Sequence, residues 1–207
     1  MFSKFLNINS EKQERILEAA IREFADKGFE KASTNEIVKD AGISKGILFH
    51  YFKNKKNLYL FTFDYSVELC MDEFFKKVDL EERDFFEKLR QISSFKLELV
   101  NLYPSIFKFF EVVIGEECIE VKNEIGERKK KLTESNYSKV FNNIDVSKFR
   151  DGVDVSRSIN IIMWTLEGIG TSELQKAKKS ESKQISYEKT FAEMDIYTEI
   201  FKNCFYK

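Results

Sequence analysis

The sequence predicts an all-α protein of about nine helices. Three observations carry this. A single proline, Pro104, and eight glycines in 207 residues leave long uninterrupted segments. Within those segments apolar residues recur three and four positions apart, the spacing that lines one face of a helix. No run alternates apolar and polar residues between turn signals, as a half-buried strand would. The length suits one compact unit, or a small domain joined to a larger one.

In chain order, the first helix begins after Ser10. Ser10 and Gln13 have capping-box spacing. Ile16, Leu17, Ala20, Ile21 and Phe24 then follow helical spacing, Gly28 ends the helix, and Phe29 folds back onto it. Residues 33–57, STNEIVKDAGISKGILFHYFKNKKN, read as two short helices around a tight turn and the start of a third. Thr34 can cap the first, with Glu36 in its opening turn. Ile37, Val38 and Ala41 give it an apolar face. Gly42 stops it, because the residue just past a helix end often needs positive φ. Ser44 caps the second, in which Leu48 and Phe52 share a face while Gly46, Ile47, Phe49 and His50 point away. This is the pattern of a helix-turn-helix, whose second helix enters the DNA major groove.

Charge placement agrees. The net charge is -1, so no global field favours nucleic acid. Yet residues 44–57 hold Lys45, Lys53, Lys55 and Lys56 and no Asp or Glu, a local basic patch of the kind a DNA-binding module carries. Lys45 is the candidate base contact, since lysine donates to guanine O6 and N7. Ile47 and Phe49 can meet thymine methyl groups, or pack on the first helix or Tyr51. Gly46 is either a tolerated first-turn glycine or a position where a side chain would hold the helix off DNA. The Tyr51 hydroxyl can reach a phosphate while its ring packs. Asn54 caps the next helix. Lys55 and Lys56 in its first turn oppose the helix dipole, an arrangement that an arriving phosphate would turn favourable.

That helix continues through Leu58, Phe61, Tyr65 and Leu69 toward Lys77. It runs from the basic patch into the body and so can transmit a shift of its far end. A helix over 83–102 follows, with Phe85, Leu89, Ile92, Phe95 and Leu99 in register. Pro104 suits the first turn of another, SIFKFFEVVI, which is apolar nearly all round and therefore reads as buried. Gly115 ends it. A charged helix covers 117–142, with the lysine run 129–131 on a solvated face. Residues 148–154 form a loop with Gly152 at a turn. Two helices over 154–178 and 186–206 close the chain. The first carries Ile159, Ile162, Met163, Leu166 and Ile169 with Gly168 and Gly170; the second carries Phe191, Met194, Tyr197, Phe201 and Phe205.

Other function classes lack their signatures. Cys70, Cys118 and Cys204 are odd in number and widely spaced, read as small core residues of a protein in a reducing cytoplasm. No metal-ligand spacing appears and no cofactor is expected. The one histidine, His50, leaves no Ser/His/Asp or Cys/His set, and neither phosphate-binding glycine motif occurs, so no enzyme is expected. No signal peptide and no apolar run long enough to span a membrane is present.

The run Ile16, Ala20, Phe24, Gly28, Phe29, Thr34, Ile37, Ala41, Gly42, Ser44, Gly46, Leu48, Tyr51, Phe52, Lys55, Leu58 resembles the DNA-binding domain of the TetR family of bacterial transcriptional regulators. Its core, SKGxLxxYFxxK, is specific. Ile47 stands where the family often has threonine, and Phe49 where it often has tyrosine. The resemblance implies a three-helix DNA-binding domain over 1–54 and an effector-binding and dimerisation domain over 55–207. It implies a homodimer formed through a four-helix bundle of the last two helices, reading a palindromic operator on double-stranded DNA. It also places His50 at the phosphate backbone. The DNA-contact set is then Thr34, Ser44, Lys45, Gly46, Ile47, Phe49, His50, Tyr51 and Lys55. A small apolar or aromatic effector is implied in the body, where fifteen of 21 phenylalanines follow Leu58, with Tyr65, Phe95, Phe110 and Trp164 as its candidate lining. The alternative is a DNA-binding protein of the same fold without a small effector, controlled by a protein partner or acting in chromosome organisation.

Overall fold

The computed structural model describes residues 2–179 and 185–207, with backbone alone for 133–138 and 178. Among these residues it is helical, save an isolated antiparallel bridge between Phe149 and Tyr206. The helices are α1 (Ser3–Leu6), α2 (Ser10–Lys31), α3 (Thr34–Asp40), α4 (Lys45–Phe52), α5 (Lys55–Lys77), α6 (Phe85–Leu102), α7 (Pro104–Ile114), α8 (Ile119–Phe141), α9 (Val155–Lys179) and α10 (Tyr187–Phe205). A short 3-10 turn, Val146–Lys148, precedes α9. No helix among the described residues is long and apolar enough to cross a membrane.

The chain forms two compact units, Met1–Glu73 with Leu102–Ser135, and Phe74–Asn101 with Asn136–Lys207. The packing thus does not divide after Asn54. The reason lies in α2, which buries side chains in more than one direction. Ile16, Leu17, Ala20, Phe24 and Phe29 are buried on it, together with Ile37, Leu48 and Phe52 of α3 and α4 and with Ile106, Phe109 and Val113 of α7. Phe24 meets Tyr59 of α5 edge-on at 4.8 Å and stacks with Phe109 at 6.1 Å, while Tyr59 and Phe109 are 5.4 Å apart. The helix-turn-helix and α7 therefore share one core.

Several local details differ from the sequence reading. The cap of α2 is Asn9, whose Oδ1 accepts from the Glu11 N–H at 2.9 Å; Ser10 is the first helical residue. Gln13 donates instead to the Leu6 and Ile8 carbonyls. Gly28, at φ +69°, kinks α2 rather than ending it, and the helix resumes to Lys31. At α3 the cap position is Ser33, so Thr34 is the first helical residue. Helix α7 buries one stripe only, and Ile114 is 57 % exposed. Lys129 is not simply solvated: its Nζ donates to the Val113 carbonyl at 3.1 Å, satisfying an end group of α7. Cys204 is exposed, unlike Cys70.

The second unit has its own core. Phe85, Phe86 and Leu89 of α6 pack with Phe149, Ile162 and Tyr206. Polar groups inside it are paired. The fully buried Lys88 donates to Leu80 O at 3.2 Å and to Val140 O and Asn143 Oδ1, both at 2.8 Å. Asp84 caps α6, accepting from the Phe86 and Glu87 N–H groups and from Lys148 Nζ at 2.7 Å. The Tyr206 hydroxyl donates to Asp84 at 3.2 Å and accepts from the Phe85 N–H at 3.1 Å. Burial alone would raise the Asp84 pKa, but the Lys148 ammonium and the Glu87 N–H outweigh it and hold the carboxyl below its usual value.

Two outcomes follow. Phe24→Ala removes a ring from the shared core and costs about 3–5 kcal/mol, measured by urea denaturation. Asp84 is more acidic folded than unfolded, so its contribution is present above about pH 4 and is lost as pH falls through the folded pKa. Asp84→Asn should lower the unfolding midpoint at pH 7, and the gap to wild type should narrow in melts taken below about pH 4.

Candidate nucleic-acid interface

Two fully buried side chains, Leu48 and Phe52, lie one turn apart on α4 and fix its rotation about its own axis. Phe52 is held by Phe5 of α1 at 4.8 Å and Phe61 of α5 at 5.4 Å. The opposite side then faces out. Ser44, Lys45, Gly46, Ile47 and His50 are exposed, Phe49 and Tyr51 are half-buried, and Thr34 is half-buried at the start of α3. Gly42 takes φ +64° between the helices, and Ser44 Oγ accepts from the Ile47 N–H at 3.3 Å.

The exposed face is compact and cationic at its N-terminal end. Lys45 Nζ lies 5.9 Å from the Phe49 ring centre. Phe49 is therefore partly covered by a lysine stem, while Ile47 is 37 % exposed. The Tyr51 ring packs edge-on against Phe5 at 5.7 Å and lies 5.9 Å from His50. Around Gly46 an added Cβ would meet nothing closer than Ser44 Oγ at 3.9 Å. The protein's own packing does not demand glycine there.

Beyond α4 the backbone tightens. Lys53 has φ +65° and ψ -45°, and the Asn54 N–H donates to the Phe52 carbonyl at 2.8 Å. This is a γ-turn of the rare positive-φ kind, costing on the order of 1–3 kcal/mol. No sequence signal announced it. Asn54 caps α5 as expected, accepting from the Asn57 N–H at 2.8 Å.

The lysines that open α5 are already engaged. Lys55 Nζ donates to the Glu30 carbonyl at 3.0 Å and the Ala32 carbonyl at 3.3 Å, and lies 4.8 Å from the Phe29 ring centre. It closes the C-terminal end of α2. Lys56 pairs with Glu124 at 2.5 Å. Both lysines thus have partners within the chain, and the end of α2 supplies the negative pole for Lys55.

A family model described as bacterial regulatory proteins, tetR family, matches residues 16–60. That segment resembles the DNA-binding part of bacterial regulatory proteins of the tetR family. Over 64 residues it is 41% identical to the HTH-type transcriptional regulator YerO of Bacillus subtilis strain 168, a match covering 31% of this chain and 22% of YerO. The chain thus spans about a fifth of that relative's length. Over 168 residues it is 23% identical to the fatty acid metabolism regulator protein of the same organism, covering 80% of this chain and 84% of that one. The solved fatty acid degradation regulator FadR from Bacillus halodurans shares the fold, with a TM-score of 0.61 at 19% identity over 91% of this chain and 97% of that one. The matched segment contains α3, the turn at Gly42 and α4. Residues 16–60 are accordingly similar to the helix-turn-helix segment of tetR-family regulatory proteins.

The four residues expected around an effector are not assembled within one unit. Tyr65 and Phe110 both pack against the core of the first unit, with Phe110 6.0 Å from Phe63. Burial, with Glu14 and Glu18 nearby, pushes the Tyr65 phenol up. Phe95 is half-buried on α6, and Trp164 is 67 % exposed on α9 rather than enclosed in its own unit. A feature the sequence did not signal lies on α5, where the hydroxyls of Thr62 and Ser66, one turn apart and fully buried, have no hydrogen-bond partner among the described residues.

Because Lys55 closes α2, Lys55→Gln should lower the unfolding free energy by roughly 1–2 kcal/mol. Urea melts of the DNA-free protein measure this; an unchanged midpoint would show the lysine to be structurally idle.

Proposed function

We propose that the chain is a TetR-type repressor that binds a palindromic operator as a homodimer and whose operator affinity is set by a small, largely apolar effector. The observation that carries the DNA-binding half is the fixed rotation of α4: buried Leu48 and Phe52 turn Ser44, Lys45, Gly46, Ile47 and His50 outward together. In this reading Lys45 donates to guanine and Ile47 meets a thymine methyl. His50, Tyr51, Ser44 and Thr34 reach phosphates, which fix register without reading sequence. Gly46 permits close approach, and Phe49 supports Lys45. Lys55 acts through its closure of α2, which sets where α5 begins.

The dimer is proposed to form through α9 and α10. Ile161 and Trp164 on α9 and Ile196, Tyr197 and Ile200 on α10 are exposed apolar side chains in one unit. An open groove of about 600 Å³ beside them has a mixed lining, in which Ile169 and Tyr197 sit among Thr165, Ser172, Glu173, Lys176, Lys189 and Glu193. Large exposed apolar side chains clustered in this way mark association surfaces. Two α4 helices would then sit about 34–36 Å apart, one turn of DNA.

The effector half draws support from two observations. The unpaired Thr62 and Ser66 hydroxyls are the kind of buried polar group that calls for a partner. The fatty acid metabolism regulator of B. subtilis matches most of the chain, which favours an apolar acyl compound as the effector. A chain controlled by a protein partner instead would release its operator with no small molecule present.

The test selects operator duplexes from a randomised pool with the full chain. Lys45→Ala should weaken the selected site by about 1–3 kcal/mol and relax it at one base pair per half-site. Trp164→Glu combined with Ile200→Glu should yield a monomer in sedimentation and lose operator binding at nanomolar protein. A monomeric wild type that still protects two half-sites would refute the dimer.

A further inference from the structure

We infer that Lys53 is a phosphate contact of the DNA interface, seated at the opposite end of α4 from Lys45. This rests on the DNA-binding reading above and deepens it. The first observation is the backbone. Lys53 takes φ +65° and is the sole non-glycine residue at positive φ among the described residues. The other such positions hold Gly28, Gly42 and Gly152. A side chain is disfavoured there because its Cβ crowds the backbone.

The shape of the turn is set from both sides. Phe52 before it is fully buried, and Asn54 after it caps α5 by accepting from the Asn57 N–H at 2.8 Å. A single residue must therefore turn the chain from α4 to the cap of α5, and glycine would do so with least strain. Lysine adds nothing to the core, since it is exposed. The packing explains the backbone at this position and leaves the choice of residue unexplained.

The second observation is where the turn places the residue. The Lys53 N–H still donates to the Phe49 carbonyl at 2.8 Å, so its Cα continues the screw of α4. At about 100° per residue that Cα lies on the side of Gly46 and His50, away from the buried Leu48 and Phe52. A helix that presents its N-terminal residues to base edges brings its C-terminal end toward the sugar–phosphate backbone. The third observation is charge. Residues 41–63 contain no Asp or Glu. Of the four lysines among them, Lys55 and Lys56 are held within the chain. Lys45 and Lys53 are left to mark the two ends of the exposed face. A cation kept at a strained, outward position in an acid-free segment suits an anion, and on a duplex that anion is a phosphate.

The experiment uses the full chain, its selected operator and an unrelated duplex, across about 50–300 mM salt. Binding is read by fluorescence anisotropy and stability by DNA-free melting, on wild type, Lys53→Gln, Lys53→Gly and Lys53→Arg. Lys53→Gln and Lys53→Gly should both weaken the two duplexes alike, by at least about fivefold near 0.1 M salt, and lower the salt slope by about one per half-site. Lys53→Arg should keep wild-type affinity and slope, because the charge is retained. Lys53→Gly should melt at or above wild type, since relief of strain offsets the freedom that glycine adds to the unfolded chain. Lys53→Gln keeps the strain, so a loss shared by both variants belongs to the charge and not to the turn. An unchanged salt slope in Lys53→Gln overturns the assignment. So does a lower melting temperature for Lys53→Gly, which would make the lysine a structural residue. If Lys45→Ala weakens the operator while Lys53→Gln leaves affinity and slope unchanged, the DNA-binding reading stands and only Lys53 falls. A wild type that binds neither duplex removes the DNA-binding reading itself.

Discussion

The ring cluster of Phe24, Tyr59 and Phe109 is the contact on which the first unit depends. Three helices, α2, α5 and α7, meet there through rings 4.8 to 6.1 Å apart. Each such pair adds to the area it buries, and all three side chains are fully buried. The cluster fixes where α2 lies against α7, and α2 in turn is the surface on which Ile37, Leu48 and Phe52 close. The direction in which α4 faces outward thus depends on a contact made by a helix that begins more than fifty residues later in the chain. A close-packed core of this kind does not deform smoothly, so a displaced α7 must carry α2 with it or break the cluster.

A second tie works in the same place. Glu116, just past α7, accepts from the Phe29 N–H at 3.2 Å, from the Tyr59 hydroxyl at 3.4 Å and from the Cys118 N–H at 2.9 Å. The Phe29 N–H is free to reach it because Gly28 takes φ +69° and opens the helix at that point. Burial and the Glu116 carboxylate together push the Tyr59 phenol above its ordinary pKa, so it stays a donor. One carboxylate therefore joins the kink of α2, the start of α5 and the turn between α7 and α8. These are the elements that a regulator must couple if an event in the body is to reach α4.

What the sequence disclosed divides along the same lines. Features set by neighbours in the chain were legible: the positive φ of Gly42, the turn at Gly152, the Ser44 and Asn54 caps, and Pro104 at the head of α7 all depend on residues within one turn. The buried set Ile37, Ala41, Leu48 and Phe52 was legible because helical period places it. The misplaced caps of α2 and α3 are one-residue slips among adjacent residues that can all cap. Helix α1 has four residues, too few for a period, although its Phe5 is fully buried. The lysines were harder. Lys55 closes the end of α2, and Lys129 the end of α7. Their partners are carbonyls some sixteen to 25 residues away, which no local window contains.

That comparison bears on the polar groups left over. This chain pairs its buried lysine, Lys88, with three oxygens, and at the surface it pairs Lys55 with two carbonyls and a ring and Lys148 with Asp84. It pairs Tyr59 and Tyr206 as well. Against that habit the two Thr62 and Ser66 hydroxyls stand out within the first unit. An unpaired buried hydroxyl costs about 1–3 kcal/mol, a large share of the roughly 5–15 kcal/mol that holds a domain together. A sequence that could have placed alanine or leucine at these two positions instead keeps hydroxyls with no hydrogen-bond partner among the described residues. Such a cost is offset wherever a buried water or a bound molecule supplies the missing hydrogen bond.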